Sequence, residues 1–203
     1  MKKNNAATSE SMKTIVLILL LFPAILSYSQ EKFFGLQTIK GSEEFESSEQ
    51  TSRMIVLSYP KYDVILQKNI KVCGEMITVC DNENSVGDTI ISIKGGPIYF
   101  YGIYKNFLFV DEGTGTIRYM MVYELQSQSF IYSFQYQHSP KVESDSVFYD
   151  YPLPMDKKTY AENPPCDDLI AKGLQYGYFE KRIYLLKHRE SINTGIIKCE
   201  YRE

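Results

Sequence analysis

Histidine is the side chain best suited to proton transfer near neutral pH, and the chain contains two. His138 stands in Gln-His-Ser-Pro just after a predicted strand, and His188 stands in Lys-His-Arg-Glu at a charged strand end. Neither belongs to a His-Glu-x-x-His or Gly-x-Ser-x-Gly motif. The sequence therefore predicts ordinary surface or loop roles for both. Only a site assembled in space from scattered residues stays open.

Residues 111–116 read Asp-Glu-Gly-Thr-Gly-Thr, a composition that also occurs in phosphate-binding and calcium-binding loops. A phosphate loop requires Gly-Lys-Ser/Thr before a helix, whereas this segment has no lysine and precedes a predicted strand. A calcium loop supplies about six oxygen ligands, and this one offers two carboxylates. The pattern favours a hairpin loop in which glycine supplies positive φ angles.

Paired carboxylates are the other arrangement with catalytic potential. A glycosidase holds two of them about 5–10 Å apart across a cleft, and the pairs Asp167/Asp168 and Asp145/Asp150 are candidates. Because the chain has 25 acidic residues, such pairs also arise by chance. We therefore predict no catalytic residue, no metal site and no cofactor.

The four cysteines are Cys73, Cys80, Cys166 and Cys199. An even number predicts two disulfides in an oxidising compartment, and all three pairings stay open. If neighbours pair, Cys166–Cys199 closes a loop of about 34 residues and stabilises the fold by roughly 3–4 kcal/mol. Zinc is the less favoured alternative, because zinc ligands usually come as closely spaced pairs.

An aromatic stripe runs along one predicted strand and contains Phe130, Tyr132, Phe134 and Tyr136. Such a stripe could be a flat platform that binds a sugar or a peptide, and these four residues are the candidate binding site. Large aromatic side chains more often form the buried face of a sheet. The Ser/Gln-rich opposite face favours this core interpretation.

Period-two alternation over residues 107–137 is the strongest structural signal in the chain. One face of the first long strand carries Ile117, Tyr119, Met121, Tyr123 and Leu125. A turn at 126–128 leads to the aromatic stripe, and adjacent alternating strands joined by a short turn form an antiparallel hairpin. With Phe107–Val110, the segment is predicted to be a three-stranded meander.

A final hairpin is predicted to join Tyr176–Lys187 to Gly195–Tyr201 through a turn at 190–195. In the last strand Ile197, Cys199 and Tyr201 share one face, so we expect Cys199 to point inward. The predicted fold is all-β, with antiparallel meanders and hairpins that form a sandwich or a half-open barrel. The alternative is a small propeller-like array, because the meander resembles one propeller blade.

The N-terminal region has the pattern of an export signal. The apolar run Ile15–Phe22 is too short to span a bilayer, and small residues follow at Ser27 and Ser29. We predict cleavage after Ser29, with Met12 as an alternative start of translation. Residues 1–29 are then the signal peptide, 30–52 an acidic polar tether, and 53–203 a single β domain.

Charge limits the possible partners. The net charge of the chain is −3, and removal of the predicted leader makes it more negative. This balance disfavours nucleic acid, which requires clustered Lys and Arg, and it disfavours anionic lipid. We predict a secreted or periplasmic binding module for a protein or a glycan, with no stable membrane anchor after cleavage. An extracytoplasmic hydrolase or a structural envelope component is the alternative.

Overall fold

The computed structural model describes residues 36–37, 40–46, 52–69, 73–83, 87–116, 118–163 and 165–202. All of them belong to one compact unit, which extends from Lys32 to Glu203. The predicted signal peptide, its cleavage point after Ser29 and the alternative start at Met12 lie outside the described residues.

The described residues form three antiparallel sheets and two short helices. Sheet 1 contains β1 (Gly41–Glu46), β2 (Ser52–Ser58), β3 (Tyr62–Asn69), β4 (Glu75–Asp81) and β5 (Thr89–Ile93). Sheet 2 contains β6 (Ile98–Tyr104), β7 (Phe107–Glu112), β8 (Arg118–Glu124) and β9 (Ser129–Tyr136). Sheet 3 contains β10 (Lys141–Glu143), β11 (Ser146–Pro152), β12 (Tyr176–Leu185) and β13 (Glu190–Tyr201). Helices α1 (Lys157–Glu162) and α2 (Asp167–Ala171) lie in the connection from β11 to β12.

Each sheet is a simple meander, in which every strand pairs antiparallel with its neighbours in sequence. This confirms the predicted all-β class built from antiparallel meanders and hairpins. None of the three sheets closes into a barrel. The chain instead packs one complete meander after another.

Sheet 2 is the middle layer of the molecule. Leu108 and Val110 on β7 join a core with sheet 1, whereas Phe107 and Phe109 on the same strand join a core with sheet 3. The strand reads Phe-Leu-Phe-Val because both of its faces are buried, so the usual alternation of apolar and polar residues is lost. Complete burial of each such side chain stabilises the fold by about 1.5–3 kcal/mol.

The aromatic stripe contributes to the core that sheets 2 and 3 share. Phe134 and Tyr136 are buried, and the ring of Phe134 stacks on Tyr149 with a centroid distance of 4.0 Å. Tyr132 stacks on Tyr184 at 3.8 Å. Only Phe130 is exposed. The stripe is therefore a core face along most of its length rather than an open platform.

The predicted tether contains the first strand. Gly41–Glu46 pairs with β2 in register, with Glu46 opposite Arg53 and Phe45 opposite Met54. The acidic composition suits this position, because charged side chains protect the exposed edge of a sheet from pairing with other chains.

The final hairpin turns earlier than predicted. Its turn lies at residues 186–189, where Arg189 has a φ of 54° and donates its N–H to the carbonyl of Leu185 at 2.8 Å. The segment at 190–195 is instead the start of β13. Gly195, with a φ of 70°, lies where the register between β12 and β13 shifts, so this glycine marks a bulge and not the hairpin turn.

One of the predicted disulfides is present. Cys166, next to α2, bonds to Cys199 on β13, with a Cα–Cα distance of 5.9 Å. Cys199 is half-buried, and Ile197 and Tyr201, predicted to share an inward face with it, are 38% and 44% exposed. The second disulfide is absent, since Cys73 and Cys80 are free thiols. Strand β4 separates them, and an extended chain at about 3.3 Å per residue holds them roughly 20 Å apart, too far for a bond.

Candidate functional site

Six hairpin turns lie side by side where the strands of the three sheets end, and together they form a surface that we call the turn face. These are the turns between β2 and β3, β4 and β5, β6 and β7, β8 and β9, β10 and β11, and β12 and β13. Hydrogen bonds join neighbouring turns, for example from Leu125 N–H to the carbonyl of Asn106 at 2.8 Å, and from Leu186 N–H to that of Asp145 at 3.0 Å. Loops held by a rigid scaffold are common places for binding sites.

Between sheets 1 and 2 the turn face opens into a cavity of about 280 Å³, which we call the polar groove. Its lining is formed by Lys61, Tyr62, Asp81, Glu83, Ile90, Asn106, Leu125, Gln126 and Gln128. Most of these side chains carry amide, carboxylate, ammonium or phenol groups. The groove therefore suits a ligand that is itself rich in hydrogen-bonding groups.

Tyr62 and Asn106 connect the two walls of the groove. The phenol of Tyr62, at the start of β3, donates a hydrogen bond to Oδ1 of Asn106 at 2.9 Å. Burial and then the negative charges of Asp81 and Glu83 raise the pKa of the Tyr62 phenol, which stays a neutral donor at ordinary pH. This bond fixes the Asn106 amide and leaves its Nδ2 group able to donate to a ligand.

The rim of the groove carries amides and charges. Gln126 and Gln128 are exposed, and neither side chain hydrogen-bonds to another described residue. Gln128 ends its turn with a φ of 52°. Lys61 lies 3.7 Å from Glu83, and the backbone N–H of Glu83 donates to the Asp81 carboxylate at 2.8 Å. Because the Gln126 and Gln128 side chains make no such bond, both amides can donate to and accept from a ligand.

A second polar group occupies the turn face between sheets 2 and 3. The Asp145 carboxylate receives Lys105 on one oxygen and Lys187 on the other at 2.7 Å, and Tyr104 donates to it at 3.2 Å. Hydrogen bonds from Lys105 and then Lys187 lower the pKa of Asp145 to about 2. Ser144 and Asp145 both have positive φ angles, which is typical of a tight two-residue hairpin turn.

Asp111, predicted to lie in a surface hairpin loop, is buried at the end of β7. Arg118 pairs with its carboxylate through two nitrogens, and Tyr136 donates to it at 2.8 Å. Burial raises the pKa of Asp111, opposed first by the Tyr136 hydrogen bond and then by Arg118. Residues 113–116 form the described part of the predicted hairpin loop, and the Asp111 carboxylate holds strands together instead of facing solvent.

The remaining candidate residues are dispersed. His138 lies 2.9 Å from a Glu200 carboxylate oxygen, without hydrogen-bond geometry, and its ring meets Phe179 edge-on. His188 is exposed in the last turn. Asp167 and Asp168 lie in the first turn of α2. Among the described residues, no cluster of His, Cys, Asp and Glu has the arrangement of a metal site.

In the part of the chain that the structure covers, no helix has the length and apolarity to cross a membrane. Sequence reasoning did not single out Tyr62, Asn106, Gln126 or Gln128, because they come from turns of two different sheets and share no motif. Comparison of the chain with protein-family models, curated proteins and solved structures finds no match.

Proposed function

We propose that this protein is an extracytoplasmic binding module that holds a glycan in the polar groove. The observation that carries the proposal is the set of amides at Asn106, Gln126 and Gln128, which retain hydrogen-bonding capacity around one cavity. Each sugar hydroxyl both donates and accepts, and amides can satisfy both roles. Ile90, which is partly exposed, supplies apolar surface for the C–H face of a sugar ring.

The size of the groove favours a sugar over a folded protein. Its volume of about 280 Å³ is at the lower end of small-ligand sites. A stable protein interface covers roughly 1,200–2,000 Å² and has an apolar centre, whereas this lining is mostly polar. One or two terminal sugar units of a glycan fit this description.

The proposed location outside the cytoplasm has two supports. The Cys166–Cys199 disulfide is of a kind that persists in oxidising compartments. The sequence also predicts an export signal that ends at Ser29. Mass spectrometry of exported protein tests this point, because the mature chain should begin at Gln30, and a mature chain that retains residues 19–26 would contradict it.

Calorimetric titration of the full mature chain with soluble cello-, chito- and galacturonate tetrasaccharides tests the binding proposal. The double variant Gln126→Ala/Gln128→Ala should weaken binding about five-fold or more, since each lost hydrogen bond costs about 0.5–1.5 kcal/mol. Gln67→Ala removes an exposed amide from β3, outside the groove, and should leave binding unchanged. Equal affinities for all three proteins would place the ligand elsewhere, and no binding to any sugar would refute the proposal.

A hydrolase is the second candidate, because Asp81 and Glu83 place two carboxylates in the same groove. Glycoside hydrolysis uses such a pair as acid and as base or nucleophile. Mass spectrometry of the titration mixtures after prolonged incubation would then show shortened sugars. Asp81→Asn should abolish that cleavage, and intact sugars throughout would leave binding as the function.

A further inference from the structure

We propose that the turn face carries a second subsite, between sheets 2 and 3, that binds the acidic group of the same glycan. The inference rests on the proposed function and specifies its ligand as an acidic glycan. The residues of this subsite are Lys105, Lys187 and Arg189.

In this subsite the positively charged side chains are more exposed than the carboxylates that they contact. The side chains of Lys105, Lys187 and Arg189 are 53%, 67% and 53% exposed. The carboxylates that they contact are more deeply placed, at 17% for Asp145 and 22% for Glu124. Two lysines share Asp145, so one carboxylate faces two positive charges. The outer surface of this cluster is therefore cationic, and an anion can reach it without displacing the carboxylates.

Exposed ion pairs of this kind contribute little to stability, because water and salt screen them. Stabilisation of the fold thus hardly explains why two lysines and an arginine lie together on adjacent turns. A binding role gives a stronger reason, because lysine and arginine are the usual partners of carboxylate and sulfate groups.

The two subsites are built from the same turns. Lys105 and Asn106 form the turn between β6 and β7, and Lys105 belongs to the cationic cluster whereas Asn106 belongs to the polar groove. Likewise Glu124, which holds Arg189, directly precedes Leu125 of the groove. Packed sheets lie about 10 Å apart, so the subsites are separated by roughly that distance. A ligand that fills both must be an oligosaccharide, with its acidic group beyond the unit that occupies the groove.

The test compares tetragalacturonate with its fully methyl-esterified form, which has the same backbone without the charge. Wild-type protein should bind the acid more tightly than the ester, and the preference should shrink as salt is raised. Lys187→Gln and Arg189→Gln should each weaken acid binding roughly two- to five-fold and leave ester binding unchanged. A sulfated carrageenan tetrasaccharide shows whether sulfate replaces carboxylate.

Two further variants test whether the position of the charge matters. Lys158→Gln, on the exposed face of α1 away from the turn face, removes an equal charge and should change neither affinity. Glu190→Gln removes the exposed carboxylate next to Arg189 and should strengthen acid binding. Equal binding of acid and ester, or an equal loss for both in Lys187→Gln, overturns this inference and leaves the neutral groove standing. Absence of binding to any sugar also overturns the proposal that the polar groove binds a glycan.

Discussion

Replacement of Phe134 by alanine measures how much the contact between sheets 2 and 3 stabilises the fold. The ring is 4% exposed and packs among Tyr132, Tyr136 and Tyr149. Truncation of a buried phenylalanine typically costs 3–5 kcal/mol, which includes the cavity that is left behind. For a domain of this size 1 kcal/mol corresponds to roughly 2–4 °C. We therefore expect Phe134→Ala to lower the melting temperature by about 6–20 °C.

Phe130 provides a matched control on the same strand. Its ring is 53% exposed and makes one edge contact with Tyr123, at a centroid distance of 5.6 Å. Phe130→Ala should cost about 1 kcal/mol or less, since an aromatic pair contributes about 0.5–1.5 kcal/mol. The same atoms are removed in both variants, so only their burial differs.

Thermal and urea unfolding followed by far-ultraviolet circular dichroism provide the assay. Reversible transitions with unchanged urea m-values would show that the native fold, and not the denatured state, carries the effect. Equally small losses of stability for Phe134→Ala and Phe130→Ala would refute the assignment of the stripe to the core. In that case the rings would be an exposed platform, and ligand affinity should fall instead.

Three other outcomes follow from the structure. Double replacement of Cys166 and Cys199 by serine should lower stability by about 2–5 kcal/mol in urea unfolding, the range typical of native disulfides in small domains. Carboxyl NMR titration should give Asp145 a pKa near 2, and Lys187→Met should raise it. Because that pKa is lowered from 3.8, the contribution of Asp145 to stability is present above about pH 4 and is lost as pH falls toward 2. Gly74→Ala should destabilise by about 1–3 kcal/mol, since its φ is +103° and a Cβ would meet the backbone of Ile98 at 2.9 Å.

The predictions for the disulfide, for the Asp145 pKa and for Gly74 each have a control within the same protein. Denatured, non-reduced protein should show two titratable thiols, from Cys73 and Cys80, and a count of zero or four would contradict the disulfide assignment. Lys158→Met should leave the Asp145 titration unchanged, and an equal shift would point to general charge and not to contact. Gly41→Ala meets no atom within 4 Å and should be neutral.

The strands could be predicted where only one face of the strand is buried, because apolar and polar residues then alternate. The meander at 107–137 follows from period two and agrees with the structure, whereas the same pattern in β13 did not show that Ile197 and Tyr201 are exposed. The double burial of sheet 2 was harder to predict, because Met120 and Val122 face sheet 3 while Met121 packs toward sheet 1. Such a strand is apolar on both faces, and period two alone does not show which core each residue joins.

The site could not be predicted for a different reason. Tyr62 and Asn106 are 44 residues apart and meet only because two sheets pack with their turns at the same edge. Short-range signals also missed α1, which Asp156 caps by accepting the N–H of Thr159 at 2.8 Å. The sequence there reads as a loop rich in Pro and Lys, and a six-residue helix has too little periodicity to detect.

The order of the strands has a consequence for how the chain reaches its native state. Every sheet is completed by residues that are adjacent in sequence, so pairing requires only short loop closures and the contact order within each sheet is low. Hairpins of this kind form in about 1–10 μs, and sheet 1 can assemble without waiting for the last third of the chain. The disulfide joins β13 of sheet 3 to the segment beside α2. It thus secures the helical connection of the last meander, whereas sheets 1 and 2 are completed without it.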